Sequence, residues 1–397
     1  MIAHPPVRLA SIDVLRALTM LLMIFVNDLW SLSNIPEWLG HTEAREDGMG
    51  LADVVFPAFL VIVGMSVPFS IASRHSKGES TSSIILHIIL RSLALLVMGL
   101  FLVNGENISE EATGMPRSLF NSLACLSFIF IWNSYPKQSN RKLVTALKVI
   151  GWIILFILAW LYRGGEDAGL RFSTFWWGIL GLIGWAYMIS ALVYAGFRAN
   201  IYLIALFWVL CLATSMAAHS GLIPQGSLLR TFLAPFGEGA MPAFVTSGML
   251  TSMIFIRMQK KNKPLTIIIT LFAVGIVLIA AGLFINQFWI ISKILATPPW
   301  VLICSGITIA FFGFIYWLCD VNGKANWFDS IKPAGTNTLL TYLLPHFAYG
   351  LMYTVLKLKF PEALTTGGVG LLKSFLFAFI IIQIAGLLGK AGVRLKL

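Results

Sequence analysis

Charge is scarce in this sequence. Of its 397 residues only 11% are charged, while 58% are hydrophobic and the mean hydropathy is +0.85. A water-soluble domain cannot hide that much apolar surface, so the soluble globular class is excluded. There are four cysteines, Cys125, Cys211, Cys304 and Cys319, all in or at the end of apolar runs and without metal-ligand spacing. They read as small packing residues, and no metal site is expected. A Gly-x-Ser-x-Gly elbow is missing, which removes the usual signal for a serine nucleophile. No linker, low-complexity segment or internal repeat divides the chain. The missing repeat counts against a carrier built from two halves. No cleavable leader is expected, because the first apolar run is long and carries charge. The net charge of +11 does not imply nucleic acid, since membrane proteins collect bases in their cytoplasmic loops.

What is present is a succession of long apolar runs, at 9–30, 51–73, 83–103, 118–134, 143–162, 172–196, 200–218, 238–256, 265–285, 299–319, 334–356 and 370–389. Each approaches the roughly 20 residues that cross a hydrocarbon core. The run at 118–134 is the shortest, and 286–298 reads as a re-entrant or interfacial piece. The expected fold is all-α: a polytopic bundle of about 12 (10–12) helices, one integral-membrane domain over 1–397 with its core motif region at 8–64. With both ends in the cytoplasm, alternate connections hold most of the bases, from Arg8, Arg74 and Lys137 to Lys260, Lys324 and Lys396. The opposite connections hold most of the acids, among them Glu43, Asp47, Glu106, Glu166, Asp167 and Glu238. That asymmetry predicts an N-in, C-in topology with His41 outside.

The ionisable residues inside or at the lip of the spans are the functional candidates. Asp13, Arg16 and Asn27 share one face of the first helix, and Asp13 and Asn27 stand roughly 21 Å apart along it. An internal Asp13–Arg16 ion pair with an interfacial Asn27–Asp28 cap explains that pattern as well as a binding face does. His41 lies in the outer connection between Asn27 and Asp53, and imidazole is a general base near neutral pH. Asp53, four residues before Pro57, is also placed to cap the second helix. Arg91 follows His87 by one helical turn and reads as an anion or headgroup contact. Glu238 sits between two glycines at a helix start, Lys293 is a lone base in an outer segment, and Asn337, Thr341, Tyr342 and His346 give the eleventh helix a polar side.

Taken together, these residues resemble the heparan-alpha-glucosaminide N-acetyltransferase family and its bacterial relatives. The resemblance is carried by Arg8-Leu-Ala-Ser-Ile-Asp13-Val-Leu-Arg16, Met23-Ile-Phe-Val-Asn27, His41, Gly50-Leu-Ala-Asp53-Val-Val-Phe-Pro57 and Gly64. Shorter matches follow at Arg91-Ser92, Gly237-Glu238-Gly239, Lys293, Asp320-Val321, Asn337 and Tyr342, leaving 130 to 230 without any. The sequence departs from the family in the run after His41, in a loop two residues longer, in the shortened Met115-Pro-Arg117 segment, and in two helices near 172–218 that replace a large luminal insertion.

The resemblance implies a transmembrane transfer of acetyl from cytoplasmic acetyl-CoA to a sugar amine or hydroxyl on the outer side. His41 would be the catalytic base and Asn27 the oxyanion donor. Asp13, Arg16 and Arg91 would face the acetyl-CoA, and Asp28, Asp53, Glu238, Lys293, Asn337 and Tyr342 the acceptor. The expected partners are the lipid bilayer, acetyl-CoA, a sugar acceptor and a second copy of the chain in a homodimer. The expected location is the inner membrane. The competing class is a transporter of amino sugars or peptidoglycan fragments, which buried polar groups and prolines within spans would also suit.

Overall fold

The computed structural model describes residues 9–136, 138–165, 169–261 and 263–397. Arg8, Lys137, Glu166 and Asp167, which enter the readings above, lie outside the described residues. Twelve apolar helices follow one another: α1 (Ala10–Asp28), α2 (Leu51–Ser76), α3 (Thr81–Glu106), α4 (Arg117–Trp132), α5 (Arg141–Leu161), α6 (Gly178–Gly196), α7 (Ile201–His219), α8 (Ala240–Gln259), α9 (Pro264–Ile285), α10 (Pro298–Tyr316), α11 (Thr338–Tyr349) and α12 (Gly367–Lys390). Among the described residues, ten helical stretches are long and apolar enough to cross a membrane. The two shorter ones are α4, with 16 residues, and α11, with 12.

Each expected apolar run becomes a helix, and the differences have local causes. The run at 334–356 is divided: a short helix Lys332–Thr336 stops at Asn337 (φ −126°, ψ 47°), and α11 continues into a π-helical turn, Gly350–Val355. The helix expected from 172 begins only at Gly178, because Trp177 adopts a left-handed conformation (φ 71°). Gly237 and Glu238 are also left-handed, so α8 starts at Ala240.

Helix ends gather in two sets. At one, the chain after α1 pairs with the start of α12 through Ser33 and Thr366. At the other, Asn133 after α4 pairs with Leu395, and Asp320 meets the start of α1. We call these the His41 end and the Asp320 end. The meeting at Asp320 is a cap supplied from far along the chain. Leu9, the residue before α1, offers no capping side chain. The Asp320 carboxylate accepts instead from the N–H groups of Ala10 (3.0 Å) and Ser11 (2.9 Å). Negative charge is favoured at this position by the helix dipole.

The centre of the bundle is built from α1, α2, α8 and α10, whose side chains are mostly buried. Outward-facing Phe156, Trp160, Ile276, Phe284 and Leu387 belong to α5, α9 and α12. Such surface suits contact with lipid tails. Helices α2 and α8 cross so closely that a Cβ on Gly64 would strike the carbonyl of Val245, and one on Gly248 the carbonyl of Val61. This backbone approach through small residues substitutes for the hydrophobic drive that lipid cannot supply.

Candidate active site

The first turn of α2 fixes a histidine. Asp53, 1% exposed, accepts from the N–H groups of Gly50 (3.0 Å) and Thr42 (3.0 Å) through Oδ2. Its Oδ1 lies 2.6 Å from Nδ1 of His41. One carboxylate oxygen of Asp53 thus serves the start of α2 and the other bonds the His41 ring. A proton shared with Asp53 at Nδ1 leaves Nε2 of His41 as the acceptor nitrogen, on a side chain that is 49% exposed. Pro57 matters as well. Having no N–H, it cannot bond the carbonyl four residues back, which belongs to Asp53. That carbonyl accepts from the indole of Trp300 on α10 (3.0 Å), with the Cys304 thiol at 3.9 Å.

Lys293 completes the cluster. Its ammonium is 3.1 Å from Nδ1 and 3.4 Å from Nε2 of His41, and 3.8 Å from Asp53. Burial holds the lysine below its ordinary titration range, while the Asp53 carboxylate and Cys304 pull the other way. The segment carrying Lys293 is laced to the His41 loop. Asp47 accepts from the Ile291 N–H (2.7 Å) and the Asn286 amide (3.2 Å), the Gly48 N–H donates to Ile291, and the Ser292 hydroxyl donates to Ala44.

A cavity of about 380 Å³ opens toward the Asp320 end. Its α1 wall is Arg16, Met20 and Met23, the face on which Asn27 is the next member. Phe59, Val63 and Ser66 of α2, Arg91 of α3, Tyr187 of α6 and Tyr342 of α11 also line it. Arg16 is engaged by Asp13 (3.2 Å), the Gly335 carbonyl (3.2 Å) and the Ser66 hydroxyl (2.7 Å). Arg91 differs. It stacks on Tyr187 at 4.8 Å, its buried Nε has no hydrogen-bond partner, and it has no carboxylate partner among the described residues. A guanidinium held so in an apolar interior is ready for an anion.

The residues expected to act together fall into separate groups. His41, Asp53 and Lys293 meet at one end; Arg16, Arg91 and Tyr342 line the cavity, and Asp13 stands behind Arg16 outside its lining. Asn27 is exposed at the His41 end of the cavity face and makes no side-chain hydrogen bond among the described residues. Asp28, one residue on, turns away into a buried cluster with the hydroxyls of Tyr349 (2.9 Å) and Ser374 (2.6 Å) and the ammonium of Lys373 (3.2 Å). Glu238 pairs with Arg230 at 2.6 Å. Asn337 donates to the Val393 carbonyl (3.0 Å) and accepts from the Leu395 N–H (3.3 Å). Among the described residues, none of Asp28, Glu238 and Asn337 has a hydrogen bond or ion pair to the His41 cluster. The sequence reading missed Trp300, Asp47 and Lys373. The only advance signal was the orphaned carbonyl implied by the Asp53 and Pro57 spacing. Among the described residues no three His, Cys, Asp or Glu side chains converge as a metal site would require.

A helical bundle enclosing this cluster and this cavity is a multi-pass membrane protein with polar chemistry inside it. A family model described as "Domain of unknown function (DUF5009)" matches residues 8–221, more than half of the chain, and the chain belongs to that family. It is also similar to the curated heparan-alpha-glucosaminide N-acetyltransferases of Homo sapiens and Mus musculus. The human protein is 35% identical over 102 residues, which is 26% of this chain and 14% of that protein. The mouse protein is 33% identical over 97 residues, 24% of this chain and 14% of that protein. The matched stretch therefore spans about a seventh of either relative.

Proposed function

We propose that this protein is a membrane acetyltransferase. It takes acetyl from acetyl-CoA admitted at the Asp320 end, which we assign to the cytoplasm, and passes it to a sugar amine or hydroxyl at the His41 end, outside the inner membrane. The observation that carries this reading is Arg91, a guanidinium without a carboxylate partner among the described residues, on the wall of a cavity that follows the α1 face toward Asn27. Its orphaned Nε and the neighbouring Arg16 fit the phosphates of CoA. The names of the similar proteins agree with the activity.

The residues divide the work as follows. Asp53 keeps the His41 proton on Nδ1 and aims the ring, as the carboxylate of a catalytic triad does. His41 Nε2 accepts a proton as the acceptor amine attacks the acetyl carbon. The C–N bond forms, the C–S bond breaks, and the departing thiolate takes up a proton. The Asn27 amide donates to the oxygen that gains charge. Arg16 and Arg91 hold the donor and take no part in proton transfer. Acetyl-CoA should raise the melting temperature of purified wild type. Arg91→Ala should weaken binding by about 1.5–3 kcal/mol, the worth of a charge-assisted phosphate contact. Acetyl transfer to glucosamine-type acceptors in proteoliposomes is the direct assay. A wild-type protein that binds no CoA yet carries amino sugar across the vesicle would replace the enzyme with the transporter.

A further inference from the structure

The far end of the chain returns to the cavity. After α12, residues Val393–Leu397 run as an extended strap, and Leu395, Lys396 and Leu397 form part of the cavity wall. Asn337 holds the strap at Val393 and Leu395. On its other side, the Asn133 side chain accepts from the Arg394 N–H (2.8 Å) and the Ser134 N–H donates to the Arg394 carbonyl (2.8 Å). Leu395 is buried between these pins, while Lys396 is exposed. The strap thus gives the cavity wall a third base beside Arg16 and Arg91, and that wall contains no acidic residue.

Length decides what Lys396 meets. From Asn27 to Arg16 along α1 is about 16 Å. A donor with its thioester at Asn27 therefore spends its pantetheine arm in the cavity and brings its pyrophosphate to the level of Arg16. The adenosine end, with its ribose 3′-phosphate, is left at the mouth, where the strap lies. We propose that Lys396 is a binding residue for the 3′-phosphate of CoA, with Asn133 and Asn337 as the positioning residues that hold the strap in place. This rests on the acetyl-CoA reading above and adds to it a reason for selecting CoA over its dephosphorylated form.

The test is equilibrium binding of CoA and dephospho-CoA to the purified full chain. Wild type should prefer CoA by about tenfold or more. Lys396→Gln, an exposed substitution, should remove that preference and leave the affinity for dephospho-CoA unchanged. Asn133→Ala does not touch the cavity and should narrow the preference too, because it removes one of the pins that hold the strap. Equal binding of the two ligands by wild type, or an undiminished preference in Lys396→Gln, overturns the proposal while the acetyl-CoA reading stands. Failure of wild type to bind either ligand overturns both.

Discussion

At the scale of single residues, the site turns on Asp53, whose two carboxylate oxygens serve a helix end and a histidine at once. Replacing His41 with alanine should lower acetyl transfer by roughly 10²–10⁴-fold while leaving CoA binding intact, since the proposed phosphate contacts, Arg16 and Arg91, lie in the cavity away from His41. Asp53→Asn keeps an acceptor for Gly50 and Thr42 but loses the anionic hold on Nδ1, and a fall in kcat of similar order with little change in KM is expected. Equal rates in wild type and His41→Ala would remove the histidine from the mechanism. Lys293 gives a prediction in pH. Its folded-state value lies below the ordinary 10.5, so the unfolded chain binds the extra proton more readily. The cost of burying the charge is present in full below the lowered value and disappears as pH rises toward 10.5. Any gain in melting temperature from Lys293→Met should therefore be largest near neutral pH and shrink in alkali. A gain that grows with pH would contradict that sign.

At the scale of elements, α1 has no local reason to begin where it does. Leu9 supplies no cap, and Asp320 does so across more than 300 residues of chain. Asp320→Ala should cost about 0.5–2 kcal/mol, the range for losing an N-terminal cap, with Asp320→Asn milder. The readout is thermal unfolding in detergent, and an unchanged midpoint would mean that solvent or lipid replaces the carboxylate. The elements also show what could be read in advance. An apolar run and its length are local properties, so the twelve helices were legible. So was His41 with Asp53, only 12 residues apart and bracketed by helix ends. The break of the eleventh run at Asn337 was not, because its amide is claimed by Val393 and Leu395, residues that no local pattern connects to it. The same reason hid the partners of Asp28, which lie on α11 and α12. Lys293 was found as a lone base in an outer segment, but its contact with His41 depends on lacing between two loops about 250 residues apart.

At the scale of the whole molecule, the two ends of the bundle must face different compartments for acetyl to cross. Basic connections at the Asp320 end and acidic ones at the His41 end predict which is which. A cysteine introduced at position 43 should react with an impermeant thiol reagent in intact cells, and one at 260 should not. The reverse pattern would invert the orientation and with it the direction of transfer.

The cap on α1 has a consequence in time. A ribosome adds about 5–20 residues per second. The first helix therefore enters the bilayer roughly 15 to 60 s before Asp320 has been synthesised, and Lys293 reaches His41 only shortly before that. For most of that interval the nascent protein has His41 and Asp53 but not the lysine that stands beside them, and its cavity wall is still incomplete. The His41 cluster and the cavity wall are therefore complete only once residues as far on as Lys293 and Leu397 have been made.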